Sequence, residues 1–102
     1  MFGGGAGGLF GARLTPVTAE TARQYGYDNL RSGLIVAGIK DSSPAAEVGL
    51  EVGDVLEQAG SVRLRSVDQL SQLFAEAKKR GQPLRIIVRR GDEKMILPLM
   101  VR

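Results

Sequence analysis

Side chains that could do acid–base or metal chemistry are few in this sequence. Its 102 residues include no histidine and no cysteine, which removes the commonest general base and every thiolate nucleophile or metal ligand. Lys40 could pair with Ser42 or Ser43, but such a short polar stretch is typical of a turn. Asp41 and Glu47 are expected at the solvated surface. We therefore predict no catalytic residue, no metal site and no cofactor.

A glycine-rich stretch at residues 8–14 (Gly-Leu-Phe-Gly-Ala-Arg-Leu) is the first candidate binding element. A glycine turn that leads into an apolar strand can aim several backbone N–H groups at one point. Such an arrangement binds anions, including the terminal carboxylate of a peptide. The alternative is an ordinary strand start without a ligand.

An amphipathic helix predicted at residues 66–80 is the second candidate, with Ser66 as its N-cap and Gly81 as its stop. Its apolar stripe leaves a second face on which Val67, Ser71 and Phe74 follow one another at one-turn spacing. A helix beside an open strand edge forms a groove that an extended peptide can fill by strand addition. Alternatively, Val67 and Phe74 belong to the core.

The remaining pattern predicts a small α+β domain with a mainly antiparallel, partly closed sheet. Apolar runs predict strands at residues 9–14, 33–39, 55–58, 84–88 and 94–101. Short helices are predicted at 18–25 and 45–48. The first of these has an incomplete capping box, because Thr21 stands where Glu or Gln is usual. Pro98 indicates that the last strand lies at a sheet edge or carries a bulge.

The middle of the sequence resembles a known protein family. In fixed order the chain contains Ser43-Pro44-Ala45-Ala46, Gly49-Leu50 and Val52-Gly53-Asp54-Val55-Leu56. This order resembles the signature core of PDZ domains, and the order of elements over residues 9–101 is similar to the circularly permuted bacterial form found in the HtrA/Deg serine proteases. The resemblance implies a PDZ-like, partly closed antiparallel sheet or barrel capped by two helices. It also implies a non-catalytic module that binds peptide C-termini or extended unfolded segments for a linked protease.

The resemblance also implies a binding site. A carboxylate-binding loop falls on Leu9, Phe10, Gly11 and Ala12, with the amides of Phe10, Gly11 and Ala12 as donors. The groove between the first strand and the long helix would then be lined by Arg13, Leu14, Val67, Ser71 and Phe74. This prediction requires that the edge of the first strand beside the helix is unoccupied.

Two residues suggest the specificity of such a site. Ala12 is smaller than the residue usual at the end of the loop, which predicts a preference for a large apolar or aromatic C-terminal side chain. Val67 stands where many animal PDZ domains have a histidine, which predicts an apolar residue two positions before the peptide end. Arg13 either favours an acidic peptide side chain or is simply exposed.

Two other functions are compatible with the sequence. The first is a scaffold or oligomerisation domain with a vestigial groove, and the parent protein of a binding module could itself be a homo-oligomer. The second is a basic surface for an anionic partner, because the net charge is +3 and arginines occur at 63, 65, 85, 89 and 90. The five aromatic residues make a nucleic-acid partner unexpected.

The first eight residues give no sign of a folded element or a targeting signal. Residues 1–8 are mostly glycine and are expected to be a flexible linker or an artificial start, with the domain at 9–102. They lack the basic and apolar regions of a signal peptide, and no apolar run is long enough to span a membrane. The family resemblance implies the periplasm or the cell envelope.

Overall fold

The computed structural model describes residues 7–28, 30 and 32–99. Within this part the chain order is β1 (Gly7–Leu9), β2 (Ala12–Pro16), α1 (Ala19–Gln24), β3 (Leu34–Ile39), α2 (Pro44–Glu47), β4 (Val55–Ala59), β5 (Val62–Arg63), α3 (Val67–Arg80), β6 (Leu84–Arg90) and β7 (Glu93–Leu99).

The strands form one antiparallel sheet in the order β1-β2-β3-β4-β6-β7, with β5 paired to β4 beside this path. The predicted α+β class is confirmed. The described sheet is open rather than closed into a barrel, with β1 and β7 at its two ends. This position of β7 confirms the prediction from Pro98, because a proline that lacks an N–H is tolerated at an edge.

The core lies on the face of the sheet covered by α3. Among its members with no exposed surface are Leu14, Leu34, Leu56, Leu64, Leu70 and Val88. α3 contributes Leu70 and Ala77, seven residues apart and therefore on one helix face.

Helix α3 begins and ends where the sequence predicts. The Ser66 hydroxyl accepts a hydrogen bond from the Gln69 amide at 3.1 Å, and Gly81 ends the helix at a φ of 64°. A left-handed residue at this position suits glycine, which has no Cβ to clash with the backbone. Lys78, Lys79 and Arg80 occupy the last turn, where cations are favoured by the helix dipole.

The prediction of an incomplete capping box on α1 is wrong. The Thr18 hydroxyl accepts from the Thr21 amide at 3.0 Å, and the Thr18 amide donates to the Thr21 hydroxyl at 2.8 Å. A threonine hydroxyl therefore closes the box in place of the usual Glu or Gln carbonyl or carboxylate oxygen.

The Gly-Asp turn before β4 is fixed by a buried charge. Asp54 is 1% exposed and accepts two hydrogen bonds from Arg90, Nε to Oδ1 at 2.8 Å and Nη2 to Oδ2 at 2.7 Å. Its Oδ2 also accepts from the Glu51 amide at 2.9 Å. Hydrogen bonding to Asp54 raises the pKa of Arg90, so the guanidinium of this clamp between β6 and the turn stays charged.

The chain start departs from the sequence prediction in two ways. The sequence predicts one strand over residues 9–14, but a turn at Phe10 and Gly11 divides them between β1 and β2. Gly7 and Gly8, expected in the linker, belong to β1. Residues 1–6, the remainder of that expected linker, lie outside the described part of the chain.

Candidate functional site

The predicted carboxylate-binding loop is the turn of a β-hairpin. Leu9 pairs with Ala12 in the ladder between β1 and β2, so Phe10 and Gly11 form a two-residue connection. Both have left-handed backbones, with φ of 44° and 87°, as the favoured two-residue hairpin turn requires. Glycine adopts this conformation freely, whereas Phe10 adopts it only at an energetic cost.

Two backbone hydrogen bonds set the direction of the loop amides. The Ala45 amide donates to the Phe10 carbonyl at 3.1 Å, and the Lys40 amide donates to the Gly11 carbonyl at 2.8 Å. In a trans peptide the C=O and the next N–H point in opposite directions, and the described chain has no cis bond. The amide of Gly11 therefore points away from α2, and the amide of Ala12 points away from the end of β3, to the side of β2 that faces β1.

Close approach to α2 requires glycine in the loop. A Cβ atom built on Gly11 would lie 2.1 Å from Cβ of Ser43 and 2.6 Å from its Oγ. Ser43 is buried and caps α2 by accepting from the Ala46 amide at 3.2 Å. Ser43 of the Ser-Pro signature thus begins the helix whose Ala45 amide holds the Phe10 carbonyl of the loop. From the sequence alone, this pair was identified only as part of a family motif.

The helix side of the site is formed by one face of α3. Val67 and Phe74 are half-buried and pack against the core, while Ser71 is exposed. The rings of Phe10 and Phe74 lie 5.6 Å apart between centroids with 42° between their planes. The structure thus brings the loop and the helix face together, and Phe74 packs against the core, as the alternative prediction has it.

Three other predicted site residues are placed differently. Leu14 has no exposed surface and Ala12 is 1% exposed, so both side chains are in the core. The guanidinium of Arg13 lies over β3, where a Cβ on Gly38 would be 3.4 Å from its Nη2. These residues supply the backbone of β2, but the structure does not bring their side chains to the edge that faces α3.

The edge of β2 beside α3 is occupied. β1 pairs with it through Gly7 opposite Leu14, Gly8 opposite Arg13 and Leu9 opposite Ala12. Cα atoms of α3 lie within 8 Å of Cα atoms in both β1 and β2. The prediction of an unoccupied edge is therefore wrong for this structure: the chain's own first described strand lies along it.

The arginines predicted as an anion-binding surface do not form one free cluster. Arg90 is engaged by Asp54 and lies 3.5 Å from Glu51. Arg89 lies 3.9 Å from Glu57 and donates to the Gly91 carbonyl. The described residues include no group of three or more acidic side chains that could hold a metal ion. No helix among them is long and apolar enough to cross a membrane.

Comparison with known proteins agrees with this architecture. The family model described as PDZ domain matches residues 8–100. The magnetosome formation protease MamE of Magnetospirillum gryphiswaldense is 33% identical over 91 residues, covering 88% of this chain and 12% of that protein. A probable periplasmic DegP-like serine endoprotease of Chlamydia muridarum is 28% identical over 91 residues, covering 81% of this chain and 18% of that protein.

Two solved structures share the fold. The HtrA-type protease AlgW with a decapeptide has a TM-score of 0.73 at 29% identity, covering 93% of this chain and 29% of that one. The HtrA3 PDZ domain bound to a phage-derived ligand, FGRWV, has a TM-score of 0.73 at 22% identity, covering 93% and 85% of the two chains. The chain spans less than a fifth of the two curated relatives described above, and the matched segment is their PDZ region. This chain therefore belongs to the PDZ domain family, as a non-catalytic module of the kind that HtrA-type serine proteases carry.

Proposed function

We propose that this domain binds extended peptides, with the peptide paired to the edge of β2 and its terminal carboxylate at the turn formed by Phe10 and Gly11. The observation that carries the proposal is the direction of the Gly11 and Ala12 amides, which point away from the hydrogen bonds that hold their loop. Backbone N–H groups aimed to one side bind a carboxylate without any side-chain charge.

The side chains beside this edge support an apolar ligand. A ligand paired to β2 lies against α3, where Val67 and Phe74 are half-buried. The ring of Phe10 adds a second aromatic surface at the loop. A terminal side chain of large apolar or aromatic type can cover the paired rings of Phe10 and Phe74, and an apolar residue two positions earlier can lie against Val67.

Backbone pairing and one apolar side chain supply the affinity. Each added hydrogen bond contributes about 0.5–1.5 kcal/mol net, and one pocketed apolar side chain about 1.5–3 kcal/mol. The cost of ordering a flexible peptide reduces the sum. We expect dissociation constants on the order of micromolar.

The test uses two pentapeptides with a fluorophore on the amino terminus. One is FGRWV, the phage-derived ligand of the HtrA3 PDZ domain; the other is FGVWF, which carries apolar side chains of the expected kind at the terminal position and two positions earlier. Fluorescence anisotropy is expected to show saturable binding that is lost when the C-terminus is amidated, because amidation removes the anion. Equal affinity for the acid and the amide would contradict carboxylate capture. Absence of binding both in this chain and in a variant whose β1 cannot pair would contradict peptide binding at this edge.

A second candidate function is favoured by the occupied edge. A vestigial groove filled by the chain's own strand is what a scaffold or oligomerisation domain would have, and β1 does lie along β2. Sedimentation equilibrium separates the two functions: self-association that rises with concentration, without any peptide binding, supports the scaffold.

We further propose that the domain serves a linked HtrA-type protease in the periplasm or cell envelope. The support is the identity to bacterial proteins described as DegP-like periplasmic proteases. Fractionation of cells that produce the native protein, with detection by an antibody to this domain, tests the compartment. Recovery in the cytoplasmic fraction would contradict it.

A further inference from the structure

β1 lies in the position proposed above for a peptide ligand. It pairs antiparallel to β2, lies beside α3 and runs toward the turn at Phe10 and Gly11. A peptide whose carboxylate reached that turn along the same edge would have the same direction. We propose that Gly7–Leu9 is an internal ligand that closes the groove and that binding of a peptide displaces it. This proposal rests on the peptide-binding function proposed above.

The two occupants exclude each other by geometry. The edge of β2 offers one row of backbone hydrogen-bonding groups, and a strand can pair with only one neighbour on that side. Leu9 lies directly opposite Ala12, where a ligand would end in its carboxylate. In the closed form the chain continues from Leu9 into Phe10 instead. The peptide bond between Leu9 and Phe10 thus lies where the terminal carboxylate of a bound peptide would be.

β1 is built to be displaced. It has three residues, fewer than most strands have, and two of them are glycines, which lose the most backbone freedom on pairing. The turn also holds Phe10 at a φ of 44°, a conformation that is unfavourable for a residue with a side chain. The ring contact of Phe10 with Phe74 compensates for part of this cost, and the pairing of three residues adds little more stability to the closed form.

Proximity still gives β1 an advantage over a free peptide. An attached segment competes with an effective concentration in the millimolar range when the link is short. The measured dissociation constant of a peptide is then the intrinsic constant divided by the fraction of open molecules. For an open fraction of a tenth or less, the apparent affinity is lower by about tenfold or more.

A reversible lock tests this mechanism. Gly8 and Arg13 lie opposite each other in the ladder, and opposed residues in an antiparallel pair have Cα atoms about 4.5–5.5 Å apart, within the range that a disulfide spans. The chain has no native cysteine, so the Gly8→Cys/Arg13→Cys variant has one possible intramolecular bond. Binding of labelled FGRWV is measured on the same sample when oxidised and when reduced.

We expect the oxidised protein to bind at least about tenfold more weakly than the reduced protein. Because Arg13 is absent in both states, the comparison isolates the lock. The matched control is Gly8→Cys alone, kept monomeric, whose affinity should not change with oxidant. Equal affinity of the oxidised and reduced double variant would overturn the internal-ligand proposal while leaving peptide binding intact.

An opening variant gives the opposite change. Successive amides of a strand point to opposite sides, so one of the Gly7 and Gly8 amides faces β2, and Gly7→Pro/Gly8→Pro removes that donor. Its affinity for FGRWV should rise about tenfold or more. An unchanged affinity would contradict competition by β1. No binding by this variant or by the reduced cysteine variant would overturn both proposals together.

Discussion

The ring of Phe10 contacts the ring of Phe74 across the space between the hairpin turn and α3, with 5.6 Å between their centroids. The contact joins the loop whose amides would hold a carboxylate to the helix that is proposed as the other wall of the groove. It also compensates for the unfavourable backbone of Phe10, which has a φ of 44°. Loop position and helix position are thus energetically linked.

That linkage predicts non-additive effects of substitution. Phe10→Ala and Phe74→Ala should each destabilise the domain, and the double variant should be less destabilised than their sum by about 0.5–1.5 kcal/mol, the usual coupling of an aromatic pair. Urea unfolding of the four proteins measures the coupling. Strict additivity would show that the ring contact contributes nothing to stability. Phe74→Leu, which keeps an apolar side chain, serves as the milder control.

The close packing of the loop on α2 predicts an unusually sensitive glycine. Gly11→Ala should cost about 1–2 kcal/mol for its left-handed backbone and a further 1–3 kcal/mol or so for the collision with Ser43. Gly26 is a matched control, since it has a similar φ of 81° and nothing within 4 Å of an added Cβ. Gly26→Ala should therefore show only the backbone cost in thermal or urea unfolding. Equal costs at the two positions would contradict the collision.

The clamp between Asp54 and Arg90 predicts that a substitution outside the candidate site causes a large loss of stability. Asp54→Ala should lower the free energy of unfolding by about 2–3 kcal/mol, below the 3–5 typical of a fully buried pair, because the Arg90 side chain is 34% exposed and can be hydrated. Glu51→Ala is the control: that carboxylate is 67% exposed and 3.5 Å from Arg90, so its loss should cost less than about 1 kcal/mol. A similar loss for both variants in urea unfolding would contradict this assignment.

The apolar surfaces near the turn predict the ligand preference. On an array of peptides with free C-termini, large apolar or aromatic terminal residues should bind best, since they can cover Phe10 and Phe74. A preference for Val or Ala at the terminal position would contradict this expectation. Two positions earlier, Val should bind more tightly than Thr, because Val67 offers no hydrogen-bond partner to a hydroxyl. Tighter binding of the Thr peptide would contradict the role given to Val67.

Much of the fold follows from local sequence signals. Ser66 and Gly81 delimit α3 because capping and left-handed termination depend on residues only a few positions apart. Pro98 indicates an edge strand for a similarly local reason. The Gly-Asp signature identified the family, but not the partner of its aspartate: Arg90 is 36 residues away, and a one-sequence pattern does not show which cation reaches a buried carboxylate.

The sequence indicated the elements of the candidate site, but the placement of their side chains and the state of the β2 edge were decided by the tertiary structure. Residue type and order pointed to the turn at Phe10 and Gly11 and to the face of α3 with Phe74. Whether the β2 edge is open depends on how Gly7–Leu9 pairs, and a glycine-rich segment has no apolar alternation to specify a strand or its register. Only the position of α3 and the turn in three dimensions places that segment on the edge that a peptide would use.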